Sequence, residues 1–189
     1  MKIGLYFGSF NPIHVGHLII ANFISNFTDL EEVWFVVSPQ NPLKKSSTLL
    51  NEYDRLFLVQ KAIENNQKFR AIDIEFKLPK PSYTVDTLTY IKEKYPQHSF
   101  SLIIGSDSLQ NIDKWKNSGF LLNTYFFYVY ERPGFKVEKT ALNIIVLKAP
   151  LLEISSTEIR KMIRAGKSIQ YLVQEGVLAE IEKNGYYKK

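Results

Sequence analysis

The sequence predicts an α/β fold in which a mostly parallel sheet lies between layers of helices. Short β-branched or aromatic runs alternate with amphipathic segments along nearly all of the 189 residues. The first run, 2–7, is apolar and ends at Gly8, which is typical of a buried strand. Apolar residues then recur every three or four positions up to Phe27, which predicts a helix. A second strand at 32–38 completes a unit that pairs its strands in parallel through a right-handed crossover.

The same alternation predicts the remaining elements. Strands are expected at 69–74, 101–105, 125–131 and 144–147, with helices at 51–64 and 85–95. A C-terminal helical segment occupies about 155–189, and Gly166, Gly176 and Gly185 are expected to end its helices. Together these elements predict a Rossmann-like three-layer sandwich formed by a single domain, 1–189.

Composition excludes several classes of protein. The chain is 45% hydrophobic and 23% charged, which is typical of a globular domain and not of a disordered one. It has no cysteine, so disulfides, thiolate metal sites and thiol nucleophiles are excluded. The first apolar run is broken at once by Asn11 and Pro12, and no run approaches the roughly 18–20 apolar residues of a membrane span. We therefore expect a cytoplasmic protein without a membrane partner.

The turn after the first strand carries two of the three histidines of the chain. It reads Gly-Ser-Phe-Asn-Pro-Ile-His-Val-Gly-His and matches neither G-x-G-x-x-G nor the P-loop. At three-residue spacing, His14 and His17 should share the face at a helix N-terminus, which attracts anions. Gly16 between them lets a flat group approach the backbone. Histidines that only cap the helix, or a zinc site, are the alternatives, although no third zinc ligand is evident nearby.

A second candidate phosphate site opens the C-terminal helical segment. Ser155 and Glu158 fit a capping box, so a purely structural interpretation suffices for these two residues. Ser156 and Thr157 add two further hydroxyls, and Arg160 follows one turn later. This arrangement predicts a phosphate cradle, with simple helix capping as the alternative.

The two segments resemble the nucleotidyltransferases that adenylylate small phosphorylated metabolites. The further stretches Ser-Tyr-Thr-Val-Asp-Thr-Leu at 82–88, Gly-Ser-Asp-Ser-Leu at 105–109 followed by Trp115, and Glu-Arg-Pro-Gly at 131–134 are similar to the nicotinate-nucleotide adenylyltransferase family in particular. This resemblance runs nearly from end to end of the chain. It implies transfer of the adenylyl group of ATP to nicotinate mononucleotide, which yields deamido-NAD and pyrophosphate.

The resemblance also implies roles for single residues. His14, His17 and Arg160 would be catalytic, and ATP would contact Gly8, Ser9, Phe10, His14, Gly16, His17, Gly105, Asp107, Ser156, Thr157 and Arg160. Thr84, Trp115, Lys44 and Arg132 would bind the acceptor, with the indole stacked on the pyridine ring. A core tryptophan at 115, a helix-terminal hydroxyl at 84 and a turn cap at 107 are the structural alternatives. Lys44 follows Leu43 where the family often has histidine, so a solvated loop competes with its phosphate role.

Magnesium is expected to arrive with the ATP phosphates, so no protein metal site is expected. Alternative acceptors are nicotinamide mononucleotide and phosphopantetheine. The formal net charge of +5 leaves open a basic nucleic-acid-binding module, but the lysines are scattered and no RNA-binding aromatic motif appears, so no nucleic-acid partner is expected. The sequence leaves homo-oligomer formation open.

Overall fold

The described part of the chain contains one sheet of six strands, all parallel, in the order β3-β2-β1-β4-β5-β6. The structure is a computed structural model that describes residues 1–40, 49–137, 141–150 and 152–188. The strands are β1 (Lys2–Gly8), β2 (Glu32–Val37), β3 (Phe69–Ile72), β4 (Ser99–Gly105), β5 (Phe127–Tyr130) and β6 (Ile144–Leu147). The prediction of an α/β sandwich is confirmed, and the sheet is entirely rather than mostly parallel.

Seven α-helices and two short 3₁₀ helices accompany the strands in this described part, and the last two α-helices follow the final strand. The α-helices are α1 (Val15–Phe27), α2 (Glu52–Ile63), α3 (Thr84–Lys94), α4 (Ser106–Gln110), α5 (Ser118–Thr124), α6 (Ser156–Arg164) and α7 (Glu175–Asn184). The 3₁₀ helices span Ile74–Lys77 and Ile112–Lys114. None of the helices in these ranges is long and apolar enough to cross a membrane.

The two faces of the sheet bury separate apolar cores because strand side chains alternate between faces. In β2, Phe35 and Val37 pack into a core that also receives α1, α2, α6 and α7. Trp34 and Val36 enter the other core, which includes residues of α3, α4 and α5. The sheet is therefore the middle one of three layers.

Some boundaries differ from the sequence prediction. β3 ends at Ile72, two residues earlier than expected, because the chain turns into the 3₁₀ helix Ile74–Lys77. Gly166 and Gly185 have φ values of 65° and 64° and follow α6 and α7, as expected for helix ends. Gly176 is different, because it lies in the first turn of α7. The prediction that it ends a helix is wrong.

The strand order identifies the crevice of the sheet. The chain builds β1, β2 and β3 outward and then crosses back to place β4 on the other side of β1. The connections that follow β1 and β4 consequently diverge, and such a switch point is where open parallel sheets bind ligands. Gly8 and Gly105 end these two strands.

Two alanine substitutions should separate backbone strain from helix propensity. Gly166→Ala places a side chain at φ 65°, so we expect the free energy of unfolding to fall by about 1 kcal/mol. Gly119→Ala lies within α5 with nothing within 4 Å of the added carbon, and should raise it by about 0.5 kcal/mol. Urea unfolding measures both values, and changes of the same sign would contradict this interpretation.

Candidate active site

The two histidines of the first turn stack on each other at the start of α1. Their ring centroids are 3.7 Å apart at an interplanar angle of 30°. His14 is the N-cap residue, and its backbone N–H donates to Nδ1 of His17 at 3.2 Å. Since Nδ1 of His17 accepts this bond, the neutral His17 ring carries its proton on Nε2. The sequence placed both residues on one helical face; the structure has His14 capping the helix and His17 in its first turn.

Two glycines make room for the rings of this turn. A Cβ on Gly16 would lie 3.0 Å from Nδ1 of His14, and one on Gly8 would lie 2.7 Å from the ring of Phe10. Phe10 packs edge-on against His17, with ring centroids 5.1 Å apart, and has a φ of 44°. A side chain at position 16 would therefore crowd the His14 ring, in addition to any ligand that approaches it.

His14 is uncharged at neutral pH in the structure as it stands. Only 7% of the residue is exposed. Burial, together with the positive charge of Arg132, lowers its pKa from 6.5 to about 4. An incoming phosphate would oppose both effects, because a nearby negative charge favours the imidazolium. The His14 ring is therefore neutral near pH 7, and a bound anion would favour its protonation.

The N-terminal half of α6 binds directly to the first turn. Ser156 donates its hydroxyl to the Pro12 carbonyl at 2.9 Å, and Arg160 donates to the Asn11 carbonyl at 2.7 Å. Arg160 also approaches the Thr157 hydroxyl at 3.4 Å. The structure therefore brings together the two segments that sequence reasoning treated as separate phosphate sites.

The cap of α6 is simpler than a full capping box. Ser155 accepts from the backbone N–H of Glu158 at 3.2 Å, as expected for an N-cap serine. The Glu158 carboxylate instead accepts a hydrogen bond from Lys161 at 2.7 Å. Ser155 therefore accounts for the cap, while Ser156 and Arg160 make contacts that capping does not require.

A charged pair lies at the ends of β4 and β5. Arg132 and Asp107 form an ion pair at 3.4 Å, and Arg132 also donates to the Tyr130 hydroxyl at 3.3 Å. A Cβ on Gly105 would collide with the Asp107 carboxylate and come within 3.0 Å of Arg132. Asp107 Oδ1 is buried without a hydrogen-bond partner among the described residues. This part of the site can accept a ligand hydroxyl at Asp107.

The segments that carry Thr84 and Trp115 are joined to each other. Thr84 is the first residue of α3, and Trp115 follows the 3₁₀ helix Ile112–Lys114 and packs partly against the core. Lys116, next to Trp115, binds the Asp86 carboxylate of α3 at 2.8 Å and lies 5.0 Å from the centre of the Tyr83 ring. This ion pair links the two segments that sequence reasoning assigned to the acceptor pocket.

One predicted site residue, Lys44, lies outside the described residues, and three residues near the site were not predicted from the sequence. Ser106 accepts from the backbone N–H of Arg132 at 2.8 Å, and Tyr130 orients the Arg132 side chain, yet neither was predicted from sequence. Arg55 of α2 was also missed, although the helical pattern contains its signal. This arginine lies on the same apolar face as Leu58 and Val59, where a charged residue is unusual.

Comparison with known proteins agrees with this geometry. A family model described as cytidylyltransferase-like matches residues 5–162. Proteins named "Probable nicotinate-nucleotide adenylyltransferase" from Cytophaga hutchinsonii and Flavobacterium johnsoniae are 59% and 53% identical to the chain. Their alignments cover 99% and 100% of this chain and 98% and 100% of the relatives, respectively. The Plasmodium falciparum nicotinic acid mononucleotide adenylyltransferase complexed with NaAD superposes with a TM-score of 0.84 at 26% identity, covering 98% of this chain and 97% of that one.

The fold, the stacked histidines and the matching family model define a nucleotidyltransferase of the cytidylyltransferase-like family. Within that class, identity of 59% across 99% of its length shows that the chain belongs to the nicotinate-nucleotide adenylyltransferase family. The resemblance noted from the sequence motifs is thus confirmed at the level of family and fold.

The buried state of His14 predicts a loss of stability in acid. In the unfolded chain its imidazole takes up a proton near pH 6.5, whereas in the folded protein it does so only near pH 4. The free energy of unfolding should therefore fall as the pH drops through this window, by at most about 3 kcal/mol from this residue. Urea unfolding between pH 7 and 4 should show a smaller decrease for His14→Asn than for the unchanged protein. Equal decreases would contradict the assignment.

Proposed function

We propose that this protein transfers the adenylyl group of ATP to nicotinate mononucleotide, giving deamido-NAD and pyrophosphate in NAD biosynthesis. The observation that carries the proposal is the binding of Ser156 and Arg160 to the carbonyls of the first turn, beside the stacked histidines. Phosphate donors from two distant segments thereby share one end of the sheet. The names of the relatives and of the structural neighbour support the same activity.

The reaction needs positioning and charge neutralisation more than proton transfer. The 5′-phosphate of the acceptor is already ionised at neutral pH, so it can attack the α-phosphorus of ATP without a protein base. His17 would donate from Nε2 to a phosphate oxygen, and Arg160 would neutralise charge on the leaving pyrophosphate. The Nε atom of Arg160 is buried without a hydrogen-bond partner among the described residues, which leaves it a donor for a phosphate.

Magnesium fits this donor set as an ion carried by ATP. The described residues contain no group of three or more histidine, cysteine or acidic side chains that could hold a metal. Mg²⁺ is usually bound by phosphate oxygens and water with few protein carboxylates, and Asp107 is the one carboxylate among the proposed ATP contacts. When bound, the ion would neutralise charge on the triphosphate. The protein groups His14, His17 and Arg160 bind and orient the same phosphates.

The remaining roles divide the site into a donor side and an acceptor side. Besides those phosphate ligands, we assign to ATP the residues Gly8, Ser9, Phe10, Gly16, Gly105, Asp107, Ser156 and Thr157. Thr84 and Trp115 form the nicotinate pocket, with Arg132 and Lys44 as further acceptor contacts. The link between Lys116 and Asp86 supports a shared pocket for Thr84 and Trp115. The proposed catalytic domain spans 1–189. The proposed location is the cytoplasm, and the absence of cysteine, and hence of disulfides, is compatible with that reducing compartment.

The acceptor is tested by supplying ATP and Mg²⁺ with each candidate in turn. We expect pyrophosphate release to be fastest with nicotinate mononucleotide, and slower with nicotinamide mononucleotide and phosphopantetheine. Preference for another acceptor would overturn the substrate assignment and leave an adenylyltransferase. Salt-sensitive binding of RNA or duplex DNA without pyrophosphate release would instead favour a nucleic-acid-binding module.

Loss of the His17 side chain should mainly slow the chemical step. By analogy with the loss of one donor to a developing oxyanion, we expect His17→Ala to lower kcat about 100-fold or more. His98→Ala is the matched control, since His98 lies among Trp34, Tyr95 and Phe100, away from the first turn. Steady-state kinetics measure both variants. Turnover of His17→Ala close to that of the control would refute the proposed role.

A further inference from the structure

Arg55 is a buried cation that binds the backbone of three separate segments. Only 1% of the residue is exposed. Its Nη1 donates to the carbonyls of Ser9 at 2.6 Å and of Ser38 at 2.7 Å, and its Nη2 donates to that of Pro39 at 3.0 Å. Its Nε donates to the Leu50 carbonyl at 2.8 Å. One side chain thus fixes the turn after β1, the end of β2 and the approach to α2.

The charge at this position serves a purpose beyond packing. Arg55 lies at a buried position of α2, together with the apolar residues Leu58 and Val59. Burying a guanidinium is unfavourable unless its donors are satisfied, and four carbonyls accept from four of its five N–H groups here. The distribution of those carbonyls over distant segments indicates that their relative placement is what the arginine secures.

Glu75 is a buried carboxylate that holds the segment proposed to bind the acceptor, as Arg55 holds the turn after β1. The residue is 2% exposed, and its carboxylate accepts from the Ser82 hydroxyl and from the Thr87 hydroxyl, each at 2.8 Å. Thr84 lies between these two donors, at the first position of α3. The carboxylate therefore holds the segment that carries Thr84 from both sides.

Ser38 connects the two buried groups. Its backbone N–H donates to the Gly8 carbonyl at 2.9 Å, its own carbonyl accepts from Arg55, and its hydroxyl interacts with the Glu75 carboxylate. A continuous polar path thus runs from the turn after β1, through Ser38, to the first turn of α3. We call Arg55, Ser38 and Glu75 the buried polar link.

We propose that Arg55 and Glu75 are positioning residues for adenylyl transfer, which act through Ser38 to hold the ATP-binding turn and the acceptor-binding end of α3 at a fixed separation. This inference rests on the proposed function. In-line attack requires the attacking phosphate oxygen and the α-phosphorus to lie about 3–3.5 Å apart in the correct orientation, and a displacement of about 1 Å can cost about 100-fold in rate. The buried polar link would keep the two substrates at the separation that the reaction needs.

Kinetics of single variants test the proposal on the acceptor side. Glu75→Gln keeps the size of the side chain but replaces one accepting oxygen with a donor. We expect kcat/KM for nicotinate mononucleotide to fall about 10-fold or more, while the affinity for ATP alone changes by less than about 2-fold. Ser38→Ala removes only the hydroxyl, and should give a smaller change in the same direction.

Arg55 variants test the donor side. Arg55→Met removes every donor, and should weaken ATP binding as well as lower kcat/KM, because the Ser9 and Ser38 carbonyls lose their donor. Arg55→Lys retains one charged donor group and should recover part of the loss. If the link acts as a unit, the variant that combines Glu75→Gln and Arg55→Lys should lose less activity than the product of the two single losses.

Leu58→Ala is the control for a general loss of stability. Leu58 is fully buried one turn after Arg55 and belongs to the apolar core. Leu58→Ala is compared with Glu75→Gln at a similar loss of unfolding free energy. The proposal is overturned if Leu58→Ala also lowers kcat/KM for nicotinate mononucleotide while leaving the affinity for ATP nearly unchanged. It is also overturned if Glu75→Gln and Ser38→Ala leave kcat/KM unchanged. Preference of the unchanged enzyme for phosphopantetheine would overturn the proposed function alone, and the variants would then be compared with that acceptor.

Discussion

The site depends on how the carbonyl groups of one turn are satisfied. Between β1 and α1 the chain leaves the sheet, so its carbonyls at Ser9, Asn11 and Pro12 have no partner in a strand or helix ladder. Each accepts instead from a distant side chain, namely Arg55, Arg160 and Ser156 respectively. A buried carbonyl without a donor costs about 1–3 kcal/mol, so these contacts select one conformation of the turn. The stacked histidines and the N-terminus of α1 take their positions from that conformation.

The same contacts explain how far sequence reasoning could reach. Apolar, β-branched and aromatic runs and the period-3.6 pattern are local, and they predicted the layers, all six described strands and the helix that begins near Ser156. The histidine turn was recognisable because its chemistry lies within ten residues. The partners of Arg55 are up to 46 residues away along the chain, and no local pattern encodes which carbonyls it meets. The prediction for Gly176 was wrong because a glycine alone does not distinguish the first turn of a helix from the position after its end.

The site contains two kinds of cationic group: arginines that are always charged, and a histidine that is neutral near pH 7 and can become charged. Arg132 and Arg160 are cationic at any physiological pH, whereas burial and Arg132 keep His14 neutral. A second permanent positive charge near Arg132 would destabilise the folded protein, and that cost is avoided while the His14 imidazole is neutral. In the proposed function, the negative charge of the ATP phosphates would favour protonation of His14. The positive charge of the site can therefore increase with the charge of its ligand.

Different interactions hold the part of the site proposed to bind ATP and the part proposed to bind the acceptor. This difference is relevant to specificity for the acceptor. Contacts of α6 and Arg55 hold the turn between β1 and α1, which is proposed to bind ATP, while Glu75 and the ion pair between Lys116 and Asp86 hold the segments of Thr84 and Trp115. Changes in the proposed acceptor pocket can therefore accumulate without disturbing the turn proposed to bind ATP, provided that the separation between these two parts is kept. A structural neighbour only 26% identical retains the fold with a TM-score of 0.84. If adenylyl transfer needs the two parts of the site at a fixed separation, as proposed, then the strand order and the buried polar contacts that set this separation are what such divergence must preserve.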